Sequence, residues 1–393
     1  MTRRAIIGQG RLLTMNGPRP GGTGLVEGPW VLQVDDGRIR EVRRGGLRRG
    51  DPELVDDVGS ALVTPGLVDP HTHLIYAGDR SDEAAARSRG ERYTGGGILR
   101  TVAATVEASD EALVAGLRER LVAARCLGTT TIEVKSGYGL EPSQEQRLLR
   151  LITAAAATVP LRVRRTYLGA HAIPAGSDAK TQHEVVLEAL PQLATEADYI
   201  DVFCEPGLFD LELTRAIAEA GATFGLPLKL HADQLVRSGA ALLGAALGAL
   251  SVDHLEQITA ADAGVLAGTS TVATILPGPA LMLGGGLPPV RALLDAGAIV
   301  AIGSDANAGT YGQPSMPLAI GLAVALGCTI DEALWAATAG SARALALGDV
   351  VGSLVAGAAA DVVAWEAEHE GAFVHRLGGV APRRTWFGGQ EDG

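Results

Sequence analysis

The feature that most limits the possible folds of this chain is a repeat of short apolar segments between residues 65 and 345. Each segment is followed by a polar loop and then by an amphipathic stretch rich in alanine and leucine. These segments predict eight strands, at 65–71, 129–135, 161–170, 198–205, 227–232, 250–255, 271–277 and 298–305. Strands that alternate with helices predict an α/β fold with a parallel sheet, either a (β/α)8 TIM-type barrel or an open doubly wound sheet.

The positions of the histidines favour the barrel. Polar side chains stand at or just after the ends of five predicted strands, namely His71, His73, His171, His231, His254 and Asp305. In a barrel the carboxyl ends of all strands meet at one rim, whereas the first and eighth strands of an open sheet would lie far apart. Because two histidines at i and i+2 on a strand point the same way, His71 and His73 can reach one cation. A third histidine and a carboxylate would complete a metal site with room for water.

The two ends of the chain have a different pattern from the middle. Residues 30–42 alternate between apolar and polar and predict a hairpin that turns at Asp36–Gly37. Residues 352–368 and 384–389 also have strand character, and they follow a helix that starts with a capping box. We expect the termini to meet in a small composite β-sandwich domain, which gives a β domain of residues 1–64 plus 346–393 and a barrel domain of residues 65–345.

Composition excludes several classes of function. The formal net charge is −12, which argues against a nucleic-acid binder because such proteins present a basic face. Three cysteines without CxxC spacing indicate neither a disulfide framework nor a zinc knuckle. The sequence shows neither a signal-peptide core nor a segment apolar enough to span a membrane, so we expect a cytoplasmic protein without a membrane partner.

Several motifs carry a resemblance to a known family. They are DPHTHLIYAGDR at 69–80, GGGILRTV at 95–102, TIEVKSGYGL at 131–140, LGAHAIP at 168–174, DVFCE at 201–205, LHADQ at 230–234, DHLE at 253–256, ILPG at 275–278 and SDANAGT at 304–310. Together they resemble the amidohydrolase superfamily and, more narrowly, the imidazolonepropionase family. The resemblance extends from about residue 60 to residue 345.

This resemblance implies a cofactor, a substrate and a set of site residues. It implies one zinc or iron ion per chain, held by His71, His73, His231 and Asp305. It implies a substrate pocket built from Arg80, Tyr93, Tyr138, His171, Gln234, Asn307, Gly309 and Thr310. The implied substrate is 4-imidazolone-5-propanoate, a small cyclic amide with a carboxylate, which is opened to N-formimidoyl-L-glutamate in histidine degradation. The planar guanidinium of Arg80 suits a carboxylate because it can donate two parallel hydrogen bonds.

The expected chemistry is attack of a metal-activated water on the ring carbonyl. His254 is the leading candidate to take the water proton or to stabilise the oxyanion, and Asp305 would serve as both ligand and proton relay. Gln234 can orient substrate or water, but an amide cannot act as a general acid. The group that protonates the leaving nitrogen is therefore left open.

A single metal ion is expected because related binuclear enzymes use a carboxylated lysine on the fourth strand. Here that strand ends in Cys204 and Glu205, and Lys135 belongs to the second strand. We expect Glu205 to support the ligands from behind and the glycine runs at 95–97 and 284–286 to form rim loops. Two alternatives stay open: another cyclic-amide hydrolase or a deaminase of the same superfamily, and a non-catalytic metal-binding barrel. A homodimer is expected from the resemblance.

Overall fold

The computed structural model describes residues 3–91 and 97–391. The strands within these residues are β1 (Arg3–Gly8), β2 (Leu12–Leu13), β3 (Leu25–Val26), β4 (Trp30–Asp35), β5 (Arg38–Arg44), β6 (Leu54–Asp57), β7 (Val63–Pro65), β8 (Leu67–Asp69), β9 (Thr129–Lys135), β10 (Arg162–Ala170), β11 (Tyr199–Cys204), β12 (Leu228–Ala232), β13 (Ser251–His254), β14 (Val272–Ile275), β15 (Val300–Ile302), β16 (Val362–Trp365), β17 (Pro382–Phe387) and β18 (Gln390–Glu391).

The helices within the same residues are α1 (Ser81–Ser88), α2 (Ile98–Glu107), α3 (Asp110–Cys126), α4 (Pro142–Ala156), α5 (Ala179–Leu193), α6 (Leu211–Thr223), α7 (Ala240–Ala246), α8 (Ala260–Ala267), α9 (Pro277–Leu283), α10 (Val290–Ala296), α11 (Met316–Ala325), α12 (Ile330–Trp335), α13 (Ser341–Ala344) and α14 (Ala372–His375). A π-helical turn at Ala336–Gly340 joins α12 to α13. None of the described helices combines the length and the apolarity needed to cross a bilayer.

The central sheet closes into a barrel. In the described residues, strands β8 to β15 form one parallel eight-stranded sheet in chain order. Its two edges meet where Thr72 and Ala306 form a parallel bridge. At the same seam Ser304 donates to the buried carboxylate of Asp69, from its backbone nitrogen at 3.0 Å and from Oγ at 2.6 Å. This contact between the first and last strands confirms the (β/α)8 barrel and excludes the open doubly wound sheet.

The first and eighth barrel strands are shorter than predicted. β8 ends at Asp69 and β15 ends at Ile302, so His71, His73 and Asp305 lie just beyond their strands. Pro70 follows β8, and because proline has no backbone N–H it cannot continue the ladder. The two segments nevertheless stay paired, since the backbone nitrogen of Asp305 donates to the carbonyl of His71 at 3.0 Å. The polar residues therefore still meet at the predicted rim.

The chain termini build two further sheets. One has the strand order β5-β4-β1-β6, and the other has the order β18-β17-β16-β7-β2-β3 and combines strands from both ends of the chain. Their shared core contains Ile6, Trp30 and Trp386. The predicted hairpin is confirmed, because Asp36 and Gly37 have φ values of 48° and 78°, as a type I′ turn requires. The domain limits at residues 64 and 346 stay predictions.

Candidate active site

Three imidazoles meet above the barrel interior. Nε2 of His71 and Nε2 of His231 each lie 3.2 Å from Nε2 of His73, and all three side chains are buried. Oδ1 of Asp305 lies 3.7 Å from the Nε2 atom of His71 and 3.5 Å from that of His73. Three imidazole nitrogens and one carboxylate form a donor set that suits zinc or iron. The chain can therefore hold a metal ion at this point.

Two buried carboxylates orient these imidazoles. Oδ2 of Asp253 lies 2.6 Å from Nδ1 of His71, and Oδ1 of Asp201 lies 3.1 Å from Nδ1 of His231. With the hydrogen on each Nδ1, the lone pair of Nε2 faces the cation position. Burial, and next the positive charge of Lys135, lowers the pKa of His71 well below its usual value. The ring is therefore neutral, as a metal ligand must be.

Beneath the histidines lies a layer of charged side chains that are fully buried. Nζ of Lys135 is 2.7 Å from Asp201, 2.9 Å from Glu133 and 3.9 Å from Asp253. Nζ of Lys229 is 3.6 Å from Asp253 and 3.7 Å from Glu133. Three carboxylates thus face two ammonium groups, so the layer is formally negative and attracts a cation above it.

A narrow pocket opens above the imidazoles, with about 40 Å³ of space for solvent. Its lining residues are His73, Arg80, Ile98, Tyr138, His171, Phe203, His231, Gln234, His254, Asp305, Asn307 and Thr310. It brings together the predicted substrate residues with two exceptions. Gly309 lies behind Arg80 and outside this lining, and Tyr93 lies outside the described residues.

The loop that carries Tyr138 is fixed by a carboxylate that sequence reasoning missed. The side chain of Glu145, in the first turn of α4, accepts hydrogen bonds from the backbone nitrogens of Gly137, Gly139 and Leu140 at 2.7–3.2 Å. In the same loop the carbonyl of Gly137 lies 2.8 Å from Nδ1 of His171. Nδ1 must donate to this carbonyl, so Nε2 is left as an acceptor. Burial, and next the charge of His231, lowers the pKa of His171 to about 3.

Arg80 is buried and held by a neighbour. Its Nε and Nη2 donate to the two carboxylate oxygens of Glu83 at 2.9 and 2.8 Å. A Cβ atom on Gly309 would lie 2.3 Å from Cζ of Arg80, so only glycine lets that loop pack against the guanidinium. Glu83 and Gly309 therefore position Arg80 at the pocket wall.

Asn307 shapes the loop after the eighth strand. Its Oδ1 accepts from the backbone nitrogens of Gly309 and Thr310, both at 2.8 Å. Its Nδ2 donates to the carbonyl of Asp305 and to Oγ1 of Thr310, both at 2.7 Å. Both ends of the amide are thus engaged within the loop, a constraint that the motif alone does not reveal.

Gln234 also lines the pocket, and its loop is fixed by a neighbouring carboxylate. Glu205, which was expected behind the metal ligands, instead accepts from the backbone nitrogens of Gln234 and Leu235 at 2.8 Å. Glu205 therefore holds the loop after β12, whereas Lys135 is the residue whose charge approaches the histidines.

His254 faces the three-histidine cluster from β13. Its ring centroid is 5.2 Å from that of His231, and its Nδ1 is 3.5 Å from Oε1 of Glu256. Burial opposes its protonation, but the negative charges of Glu256 and then Asp305 outweigh burial and raise the pKa of His254. Burial raises the pKa of Asp305 to about 6, against the opposing charge of His254.

Comparison with known proteins identifies relatives over nearly the whole chain. The model of the amidohydrolase family matches residues 62–391. The imidazolonepropionase of Salinispora arenicola is 44% identical over 364 residues, which cover 91% of each chain. The imidazolonepropionase of Rubrobacter xylanophilus is 45% identical over 365 residues, which cover 89% of this chain and 88% of that relative.

A solved structure also resembles this fold. It is an adenosine deaminase from Xanthomonas campestris with bound zinc, with a TM-score of 0.76, and the match covers 99% of this chain and 92% of that one. The sequence identity is 19%, so this likeness supports the fold alone.

We predict that Asp253→Asn weakens metal binding about 10- to 100-fold, because an amide orients the Nδ1–H of His71 less strongly than a carboxylate does. Zinc affinity, measured by competition with a chromophoric chelator, checks this. The control is Asp198→Asn, which alters a carboxylate paired with Arg164 and Arg165 just before β11. Unchanged zinc affinity in a folded Asp253→Asn protein would contradict the orienting role.

Proposed function

Because this chain belongs to the amidohydrolase family and, within it, to the imidazolonepropionases, we propose that it hydrolyses the ring amide C–N bond of 4-imidazolone-5-propanoate. The product is N-formimidoyl-L-glutamate, and the reaction belongs to histidine degradation. The observation that carries the proposal is that a narrow pocket with a buried arginine in its wall opens onto a cluster of three histidines and one carboxylate. The cluster suits hydrolysis of an amide, and the arginine suits a carboxylate on the substrate.

We propose that His71, His73, His231 and Asp305 hold one zinc or iron ion. When bound, such an ion lowers the pKa of a water toward 7 and polarises a carbonyl oxygen. The proposal of a single ion is supported by the fourth barrel strand, which ends at Cys204 and has no lysine.

The remaining pocket residues then bind substrate and move protons. His254 or Asp305 takes the proton from the attacking water. Since Nδ1 of His171 is engaged by a carbonyl, its Nε2 can accept a hydrogen bond from a ring N–H of the substrate. Arg80, together with Tyr138, is proposed to hold the carboxylate tail, while Gln234 orients the ring. We propose that the pocket wall around that tail is shaped by Tyr93, Asn307, Gly309 and Thr310.

A cytoplasmic location and a homodimer stay predictions. The location is in keeping with Cys126, Cys204 and Cys328, which are free thiols in the structure.

The metal-loaded protein is expected to turn over imidazolone propanoate generated in place from urocanate, and to leave guanine and cytosine unchanged. Loss of imidazolone absorbance and appearance of N-formimidoyl-L-glutamate by mass spectrometry provide the measurement. Turnover of the purine or pyrimidine alone would instead support a deaminase. Metal binding without any turnover would support a non-catalytic barrel.

Replacing Arg80 with glutamine should lower kcat/KM about 10- to 100-fold, chiefly through KM. The expected loss corresponds to about 1.5–3 kcal/mol for hydrogen bonds to a charged group. Arg150→Gln provides the matched control, because Arg150 is an exposed residue of α4 that pairs with Glu196. The measurement is the steady-state kinetics of both variants. An unchanged KM for Arg80→Gln would show that Arg80 does not bind the substrate carboxylate.

The variant Gln234→Glu should retain or raise turnover and change its pH profile. A glutamate at this position can exchange a proton with substrate or water, which the amide of Gln234 cannot do. The measurement is kcat between pH 5 and pH 9 at saturating substrate. Complete loss of hydrolysis in a variant that still binds metal would show that the position given to Gln234 is wrong.

A further inference from the structure

A second cavity lies beside the candidate active site and shares Gln234 with it. It contains about 420 Å³ of space for solvent, compared with about 40 Å³ above the imidazoles. Its lining residues are Glu91, Gln234, Leu235, Glu256, Ala280, Leu283, Gly284, Gly285 and Gly286. Nε2 of Gln257 donates to the carbonyls of Gly285 and Gln234 at 3.1 and 3.3 Å. One wall of the cavity is thus a glycine run tied to the active-site loop.

Glu256 is the unusual residue of this cavity. Its side chain is only 4% exposed, and neither carboxylate oxygen has a hydrogen-bond partner among residues 3–91 and 97–391. Its nearest ion-pair contact is Nδ1 of His254 at 3.5 Å. Burial of a carboxylate without donors is unfavourable, so its presence points to a ligand that supplies them.

The charge of the cavity indicates the kind of ligand. Two of the described lining side chains, Glu91 and Glu256, are acidic, and none of the described lining side chains is basic. The cavity therefore disfavours anions and suits a planar cation that can donate hydrogen bonds, such as an amidinium.

The proposed reaction creates such a cation from a neutral ring. The water oxygen bonds to the ring carbonyl carbon, the adjacent C–N bond breaks, and both water hydrogens end on the nitrogens of the former ring N–C–N unit. The carbonyl becomes a carboxylate, and the former ring N–C–N unit becomes a formamidinium, so atoms and charge balance. The new positive charge therefore lies on the N–C–N unit, which is no longer bonded to the former carbonyl carbon.

We propose that Glu256 binds the formamidinium end of the ring-opened product, in the cavity that Glu256 and Gln234 share. This inference rests on the proposed function. Glu256 supplies a negative charge that can bind the positive charge of the product. Gln234, in the same cavity, is neutral and cannot do so. The structure places this group next to His254, so the cation can be captured close to where it forms.

The test compares N-formimidoyl-L-glutamate with N-formyl-L-glutamate, which has a neutral oxygen in place of the charged nitrogen. Calorimetric titration of the zinc-loaded wild-type protein should show about tenfold to a hundredfold tighter binding of the formimidoyl compound, as expected for charge-assisted hydrogen bonds. Glu256→Gln should reduce this preference toward one. Glu256→Asp should keep part of it, because the charge remains.

Glu219→Gln is the matched control, since Glu219 is an exposed residue of α6 and should leave the preference unchanged. Thermal unfolding of Glu256→Gln should show a Tm close to that of the wild type, because the lower cost of burying a neutral amide offsets the lost ion pair with His254. A wild-type protein that binds both compounds equally, or a Glu256→Gln variant that keeps the full preference, would overturn the inference. Turnover of imidazolone propanoate by the same wild-type preparation separates the two proposals: turnover without the preference rejects only the part given to Glu256, whereas absence of turnover rejects both.

Discussion

The arrangement of the site depends on buried charges that must be paired inside the barrel. Asp201 and Asp253 each contact a histidine on one side and Lys135 on the other. A buried carboxylate is tolerated only where partners compensate its lost hydration. Here the partners come from four strands, β9, β11, β12 and β13, so the register of the sheet and the direction of the imidazoles are fixed together. The position of the three-histidine cluster is therefore a consequence of how charged side chains pair inside the barrel.

This layer was open to prediction from the sequence, together with the strand pattern and the paired histidines. An acidic residue inside an apolar strand, such as Asp201 or Asp253, requires a buried partner, and the barrel strands β9 and β12 offer Lys135 and Lys229. The chain has only three lysines. Composition alone attributes this small number to the base composition of the genome. Two of the three lie fully buried in the barrel, where a compact ammonium can contact several carboxylates and a planar guanidinium needs more room. The positions of these two lysines therefore indicate a structural role, which the small number of lysines does not reveal.

Other features could not be predicted because they depend on contacts that no motif specifies. Arg80 was predicted to bind a carboxylate of the substrate, but its bidentate pairing with Glu83, three residues further on in α1, appears only in the side-chain geometry. Asn307 stands directly after the aspartate of the eighth strand, yet both ends of its amide hold its own loop. In the sequence, Glu256 is only the last residue of the motif DHLE at 253–256, and nothing there indicates a role for it. Its burial without hydrogen-bond partners among the described residues emerges only from three-dimensional packing.

The rim of the barrel combines backbone strain with carboxylates that hold the strained segments. Of the eight described non-glycine residues with positive φ, five lie at this rim: Leu140, Asp233, His254, Leu255 and Asp305. Such conformations persist only where surrounding contacts determine them. Asp233 accepts from the backbone nitrogens of Ser238, Gly239 and Ala241 at 2.6–2.8 Å, and Glu145 and Glu205 hold their loops in the same way. Because these acceptors are buried, their hydrogen bonds to the loop backbone are shielded from water and resist opening of the loops. Fixing the pocket residues in this way reduces the entropy that substrate binding would cost.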